Sequence, residues 1–287
     1  MILANGRGLG TADSWKRVEK NVEPSIRVCS YDAMGAGKSD HVQGNPQFRP
    51  IDQVVADMHG LFQAAGLKLP YVLVGASDGA LLARRYQRQY SSEIAGLVFV
   101  DSSHEEMQWG EAVIAPQFDP NWNNSAFLQN NGFLPDHQKL TWHADIPLIV
   151  LERSEKAPLS AFQGLTQKQV DAINALWHDY QVDLAGRSKF GQLRIVANSG
   201  HRMHMDRPDA IADAIRDVVT QVRSEAHNYP EGDRKVVHRC AISACCDGGW
   251  NALDLDQRAA SPRPLFGCLS VNSTHVKRLL PTRARAL

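Results

Sequence analysis

Residues 71–83 decide the fold, and they read YVLVGASDGALLA. An apolar, β-prone run enters a tight Gly-Ala-Ser-Asp-Gly turn, and a helix-prone segment of small and long side chains follows it. Ser77 therefore stands at the apex of a strand–turn–helix unit with the pattern G-x-S-x-G. Gly75 and Gly79 flank the serine, because a Cβ at either position would collide with the neighbouring strand or helix. The pattern predicts an exposed serine on a strained turn, and the competing interpretation is an ordinary β-to-α turn of a nucleotide-binding fold.

Segments of the same two kinds alternate on both sides of this unit. Short apolar runs without period-2 alternation are joined by segments with apolar residues at helical spacing, which is typical of a parallel sheet covered on both faces. We therefore predict an α/β fold whose site lies at the carboxyl ends of the strands. The further predicted strands are residues 1–5, 26–32, 96–101, 146–152 and 192–199, and the further predicted helices are a segment beginning near residues 11–14 and residues 50–65, 166–184 and 208–222.

Two segments do not show this alternation of predicted strands and helices. Residues 104–144 are rich in Asn, Gln and aromatic residues with irregular periodicity, and we interpret them as a cap inserted over the strand ends. The cap's aromatic side chains either line an apolar pocket or form a small core of the cap itself. Residues 224–287 show no sustained period, so we expect an irregular or disordered tail without a role in the chemistry after a domain of residues 1–223.

Composition excludes several classes of protein. The 287 residues carry a formal net charge of zero, which gives no basis for binding nucleic acid or an anionic membrane by charge. No apolar run is long enough for a membrane span and no signal peptide is evident, so we expect a cytoplasmic protein. Cys29 is expected to be a buried strand thiol. The remaining cysteines fit no zinc-binding spacing and are expected to be unpaired: Cys240, Cys245, Cys246 and Cys268.

Three motifs in order resemble the α/β-hydrolase superfamily over residues 1–222: the D-x-x-G-x-G-x-S turn of residues 32–39, the GASDG turn, and the SGH step of residues 199–201. The likeness is closest to serine hydrolases with a small cap. It implies a mostly parallel central sheet, a small-molecule substrate, and no metal or organic cofactor. The superfamily's fold usually opens with an antiparallel hairpin, and this chain starts at the strand after it. Either the protein has no such hairpin, or the N-terminal residues that would form it are missing from this sequence.

The resemblance implies that Ser77 is the nucleophile and that His201, just after the last predicted strand, is the general base. His204 is the rival base. A serine at the apex argues against dehalogenase and epoxide hydrolase chemistry, for which this superfamily uses an aspartate.

The acid is less clearly marked by the sequence. Many members of the superfamily carry it after the strand predicted at residues 146–152, where this chain has only Glu152 and Glu155. Others carry it at the end of the strand that follows the serine's helix, which here is Asp101. We choose Asp101, with Glu155 and then Glu152 as alternatives. A helix or loop cap is the purely structural interpretation of Asp101.

The oxyanion hole should consist of two backbone N–H groups. The resemblance implies the N–H of Asp78 and one from the Gly-rich loop, for which we choose Arg7. This loop reads Asn5-Gly6 where the superfamily usually has His-Gly. The Asp78 carboxylate itself either faces a substrate cation or is solvated or hydrogen-bonded.

These residues lead us to expect a serine hydrolase that cleaves a small to medium carboxylic ester through an acyl-enzyme. Amide, thioester or C–C hydrolysis could use the same residues. The alternative from another class is a non-catalytic binding protein or decayed copy with this fold.

Overall fold

A computed structural model of the chain describes residues 2–4, 12–22, 26–33, 37–40, 51–116, 144–228 and 271–272. Their strands are β1 (Ile2–Ala4), β2 (Cys29–Tyr31), β3 (Tyr71–Ala76), β4 (Ile94–Val100), β5 (Leu148–Arg153), β6 (Gly191–Val196) and β7 (Val271–Asn272). The sheet order is β6-β5-β4-β3-β1-β2-β7. All neighbours from β6 to β2 are parallel, and β7 is antiparallel to β2. The predicted, mostly parallel α/β sheet is confirmed.

The helices are α1 (Lys16–Asn21), α2 (Ile51–Ala64), α3 (Gly79–Gln89), α4 (Met107–Ile114), α5 (Gln167–Gly186), α6 (Met203–Asp206) and α7 (Pro208–Asn228). A capping box starts α5, because Thr166 Oγ1 accepts from the Gln169 N–H while Gln169 Oε1 accepts from the Thr166 N–H. Proline at the first position and Asp209 in the first turn start α7. This helix continues to Asn228, past the point at which the sequence pattern predicts its end.

The two faces of the sheet bury alternate residues of the same strands. Leu73, Leu97 and Val150 pack in one apolar cluster with side chains of α2 and α3. Val74 and Val98 point the other way, into a second cluster with side chains of α1 and α7. Because strand side chains alternate between faces, both faces are covered, as predicted. Each fully buried aliphatic side chain contributes about 1.5–3 kcal/mol to stability.

The first part of the predicted cap is regular helix. A Cβ on Gly110 of α4 would lie 2.5 Å from Leu176 Cδ2 and from Tyr180 Oη of α5, so the two helices are in close contact. None of the helices in the described ranges is both long and apolar enough to cross a membrane. Several predicted features lie outside the described residues: Arg7, the cap aromatics after residue 116, the four late cysteines and nearly all of the predicted tail. Cys29 is buried with a free thiol.

Candidate active site

Ser77 sits between β3 and α3 with a φ of 52°, in the left-handed region that non-glycine residues rarely adopt. Its N–H donates to the Val100 carbonyl at 3.0 Å, and its carbonyl accepts from the Ser103 N–H at 3.2 Å. Such a conformation costs about 1–3 kcal/mol and persists only where the surroundings hold it. The end of β4 and the loop that follows it therefore fix the serine from both sides of its backbone.

Gly75 makes this tight turn sterically feasible. A Cβ there would lie 2.5 Å from the Gly79 carbonyl carbon and oxygen and 2.6 Å from the Ala80 nitrogen. Because these are backbone atoms, no side-chain movement could relieve the contact. Next to the serine, Asp78 Oδ1 accepts a hydrogen bond from Ser103 Oγ at 2.6 Å. The Asp78 carboxylate is thus tied to the loop after β4.

Asp101 lies at the end of β4, next to Ser77 across the sheet. The register pairs Ala76, the last residue of β3, with Val100, the last residue of β4. Ser77 and Asp101 therefore follow their strands at the same edge of the sheet. Asp101 has a φ of 43° and is 0% exposed, and its N–H donates to the Leu151 carbonyl at 2.7 Å. Both strained residues therefore occur at neighbouring strand ends, where parallel α/β sheets place their sites.

The Asp101 carboxylate accepts hydrogen bonds on both oxygens. Oδ2 is 2.5 Å from His201 Nδ1 and 2.7 Å from Arg153 Nη1. Oδ1 accepts from Trp177 Nε1 at 2.9 Å and from the Arg153 N–H at 3.3 Å. Burial would raise the pKa of Asp101, but the His201 hydrogen bond and the Arg153 charge outweigh it and hold the pKa below its usual value. We call these four residues the acid–base cluster: Asp101, Arg153, Trp177 and His201.

His201 comes from the turn after β6, and its side chain is 37% exposed. The ring packs edge-on against Trp177, with centroids 5.7 Å apart and planes at 84°. The turn is fixed by the Gly200 N–H, which donates to Asp206 Oδ2 at 3.0 Å. Since Nδ1 faces the Asp101 carboxylate, Nε2 is the nitrogen left to accept a proton. Among the described residues, neither Nε2 nor the Ser77 hydroxyl makes a hydrogen bond.

The alternative base and acids have other neighbours. His204 lies against Trp15, with ring centroids 5.8 Å apart, and burial together with the Arg202 charge lowers its pKa. Glu152 pairs with His178 Nδ1 at 2.9 Å. Glu155 lies near the backbone of Gly200. In the described part of the chain, Asp101 provides the single carboxylate that pairs with His201.

Asp32 organises the turn that follows β2. Its carboxylate accepts from the Ala12 N–H at 2.6 Å and from the Lys38 N–H at 2.9 Å, and its carbonyl accepts from Ser39 Oγ at 2.7 Å. Gly37 has a φ of 55°, and a Cβ there would lie 2.4 Å from Asp32 Oδ2. The Asp, the second Gly and the Ser of this pattern are thus explained by a carboxylate that ties two loops together.

The sequence analysis did not find a second set of polar residues, which lie on the loop after β4, on α3, on α5 and directly after α5. We call it the buried ion cluster: Arg84, His104, Glu105 and Arg187, with Asp183, whose side chain is half exposed, at its edge. Glu105 accepts from Arg187 Nη1 at 2.5 Å and from Arg84 Nη2 at 3.1 Å. Burial would raise the pKa of Glu105, but the charge of Arg84 and its neighbours outweighs burial and lowers the pKa. The Ser103 carbonyl accepts from Arg84 Nη2 at 3.1 Å, so this cluster also supports the loop that holds Ser77.

His104 is fully engaged in this cluster. Its Nδ1 accepts from the Glu106 N–H at 3.1 Å, and its Nε2 lies 3.0 Å from Asp183 Oδ2 and 2.8 Å from Arg187 Nη2. The ring stacks on Tyr180 with centroids 4.1 Å apart. Burial lowers the pKa of His104, which favours the neutral ring.

The sequence analysis also missed Arg153 and Trp177 as partners of Asp101. The available signal was modest: Arg153 directly follows the strand predicted at residues 146–152, and Trp177 lies within the helix predicted at residues 166–184. Neither pattern indicates which carboxylate these side chains contact. Within the described ranges, no group of three or more His, Cys, Asp or Glu side chains is placed to hold a metal ion.

Comparison with known proteins agrees with this architecture. The uncharacterised protein YqjL of Bacillus subtilis is 25% identical over 218 residues, which cover 74% of this chain and 80% of that protein. The proline iminopeptidase PfmaB of Pestalotiopsis fici is 29% identical over 110 residues, covering 37% of this chain and 38% of that protein. A thermophilic esterase from Thermogutta terrifontis superposes with a TM-score of 0.52 at 18% identity, over 77% of this chain and 89% of that one.

The family model agrees over a longer part of the chain. It matches residues 1–214, which include the Ser77 turn, Asp101 and His201. The chain therefore belongs to the alpha/beta hydrolase family.

Proposed function

We propose that the protein is a serine hydrolase that cleaves a small to medium carboxylic ester through an acyl-enzyme. Ser77 is the nucleophile, His201 the general base, and Asp101 the carboxylate that orients the imidazole. The observation that carries this proposal is the 2.5 Å contact between His201 Nδ1 and Asp101 Oδ2, at the strand end beside the strained Ser77. A base oriented by a third group next to a nucleophile is the arrangement that activates a hydroxyl.

The steps follow from this arrangement. His201 Nε2 takes the proton as Ser77 Oγ attacks the ester carbonyl, and the resulting imidazolium returns that proton to the leaving alcohol. Water then attacks the acyl group and gives a proton to His201. The second tetrahedral intermediate collapses as the imidazolium returns that proton to Ser77 Oγ, which releases the carboxylic acid and the free serine. The backbone N–H groups of Asp78 and Arg7 stabilise the oxyanion of each tetrahedral intermediate. The proton path from Oγ to Nε2 belongs to the proposal.

Three observations support hydrolysis over binding alone. The strained turn has a cost that a purely structural loop could avoid with a glycine at position 77. Asp101 remains charged although it is fully buried, as an orienting carboxylate must. Membership in a hydrolase family, with an esterase among the similar structures and an iminopeptidase among the relatives, supports a hydrolase. Among the reactions that hydrolases of this family could catalyse, we propose ester hydrolysis.

The test is turnover of p-nitrophenyl acetate, butyrate and octanoate beside proline p-nitroanilide, with intact-protein mass spectrometry of the trapped acyl adduct. We expect ester turnover with an adduct on Ser77 and none in Ser77→Ala. Ser160→Ala is a matched control, because Ser160 is an exposed serine in a short 3₁₀ helix, Leu159–Ala161, that contributes no residue to the proposed triad. Turnover of the anilide alone would replace the ester by an amide. A folded protein with neither turnover nor adduct would support the non-catalytic alternative.

A further inference from the structure

Arg153 has an unusual place in the acid–base cluster. It is the last residue of β5, and its side chain is 11% exposed. Its guanidinium carbon lies 4.4 Å from the centre of the Trp177 ring, so Trp177 packs against the cation while donating to the same carboxylate that Arg153 binds. A cavity of about 360 Å³ adjoins this pair and is also lined by Lys156 and His178. The Arg153 guanidinium thus lies between the buried Asp101 carboxylate and this cavity.

Arg153 and His201 bind the same oxygen atom. Asp101 Oδ2 is 2.7 Å from Arg153 Nη1 and 2.5 Å from His201 Nδ1. Arginine keeps its charge at every pH at which an enzyme works. When His201 accepts a proton, the acid–base cluster holds two cations around one carboxylate. Protonation of His201 is therefore less favourable than it would be with Asp101 alone.

We propose that Arg153 is a positioning residue that sets the pH range of the site: it holds the buried Asp101 carboxylate in place and, through the oxygen that both cations share, keeps His201 in its proton-accepting form at lower pH. This inference rests on the proposed function, because it concerns the base that activates Ser77. Arg153 contacts the acid through Nη1 and through its backbone N–H, so a side-chain substitution leaves the second contact in place.

Other charged groups lie on the turn that carries His201 or next to that turn, and they stay constant when Arg153 is changed. Glu155 and Asp206 flank Gly200, and Asp206 accepts the Gly200 N–H. Arg202 and His204 belong to the same turn and helix, and His204 interacts electrostatically with His201. The acids favour the imidazolium and the basic groups oppose it. A comparison of variants at position 153 therefore isolates the guanidinium.

The experiment uses Arg153→Gln, which keeps a donor without the charge, and Arg153→Lys, which keeps the charge. Arg194→Gln is the control, because Arg194 pairs with Asp217 on the far side of β5 from the acid. Two readouts are compared: the NMR titration of the His201 ring, assigned against His201→Ala, and the pH dependence of Ser77 labelling by a fluorophosphonate.

We expect Arg153→Gln to raise the His201 midpoint and the acid limb of labelling together, by about one pH unit or more. Arg153→Lys should stay close to wild type, and Arg194→Gln should match it. Arg153→Met, which can still pack on Trp177, carries the same expectation as Arg153→Gln and replaces it if that variant does not fold.

A merely structural arginine would slow labelling at every pH without moving either midpoint, and that result would overturn the proposal. Midpoints that move down in Arg153→Gln would overturn it as well. The two hypotheses fail separately. A folded wild type that is not labelled at Ser77 contradicts the proposed function, whereas the NMR titration still decides the effect of Arg153 on His201.

Discussion

The loop after β4 serves two clusters built from the same kinds of residue. Asp101, the first residue of this loop, belongs to the acid–base cluster. His104 and Glu105, a few residues later, belong to the buried ion cluster. Each contains a histidine, a carboxylate and an arginine within hydrogen-bond distance. Exposure separates them: the His201 side chain is 37% exposed, and that of His104 is 3% exposed.

The hydrogen bonds explain what this difference means for chemistry. Both ring nitrogens of His104 have partners, and its ring is stacked on Tyr180. His201 engages Nδ1 with Asp101 and leaves Nε2 without a hydrogen bond among the described residues. A histidine–carboxylate pair therefore does not identify an active site by itself. A free ring nitrogen at the carboxyl ends of the strands is the distinguishing feature.

Breaking the acid–base cluster should have the largest effect. We expect His201→Ala to lower kcat/KM for the best ester by about a thousandfold or more, because the serine loses its proton acceptor. Thermal unfolding should change little, since the side chain is partly exposed. Initial rates and a melting curve on the same preparation measure both.

His204→Ala is the matched control for this prediction. His204 follows in the next helix but packs against Trp15 rather than against Asp101. Its removal should leave kcat/KM within a few-fold of wild type. If the two variants exchanged these effects, the base would be His204.

Breaking the buried ion cluster should instead reduce stability. Glu105→Gln leaves Arg84 and Arg187 buried without their shared carboxylate, which should cost about 3–5 kcal/mol of unfolding free energy. Urea denaturation measures the loss, and the folded fraction should keep its ester turnover. Asp145→Asn removes the partner of Lys189 in an exposed ion pair and should leave stability nearly unchanged. Equal losses in the two variants would contradict the assigned role of the buried cluster.

The smallest expected effect is a pH dependence that comes from His104. Burial lowers its pKa in the folded protein, whereas an unfolded histidine titrates near about 6.5. The unfolded chain therefore binds a proton first as the pH falls. The stability contributed by the neutral ring is complete above about pH 6.5 and decreases below it.

Unfolding free energies of wild type and His104→Gln between pH 8 and pH 5 measure this effect. The wild type should lose more stability than the variant over that range. The difference between the two proteins removes the contribution of Glu111, which titrates in the same range because burial raises its pKa to about 7. Parallel curves would show that His104 does not couple to folding.

The comparison also shows which features a sequence reveals. The Ser77 turn is readable because its cause is local: a strand, a glycine at the point of close approach and a helix follow each other directly. The parallel sheet is readable because apolar runs without alternation mark strands that are buried on both faces. Asp101 and His201 could be chosen as candidates because the resemblance implies an acid and a base at these positions, and each lies after a strand.

Side-chain contacts between residues that are distant in the sequence could not be predicted. His104 meets Asp183 on α5 and Arg187 just after it, without any spacing rule that would connect them. Arg153 reaches Asp101 only because β4 and β5 are neighbours in the sheet. Glu152, chosen as an alternative acid, instead faces His178 on α5. Side-chain contacts of this kind depend on sheet order and strand register, which local patterns do not specify.

The central claim is that the His201–Asp101 pair activates Ser77. The most direct measurement is fluorophosphonate labelling at neutral pH, mapped by mass spectrometry, on wild type, Ser77→Ala and His201→Ala. The account predicts a label on Ser77 in wild type, none in Ser77→Ala and a greatly reduced rate in His201→Ala. A folded wild type that takes no label, or a His201→Ala variant that labels at the wild-type rate, would contradict it.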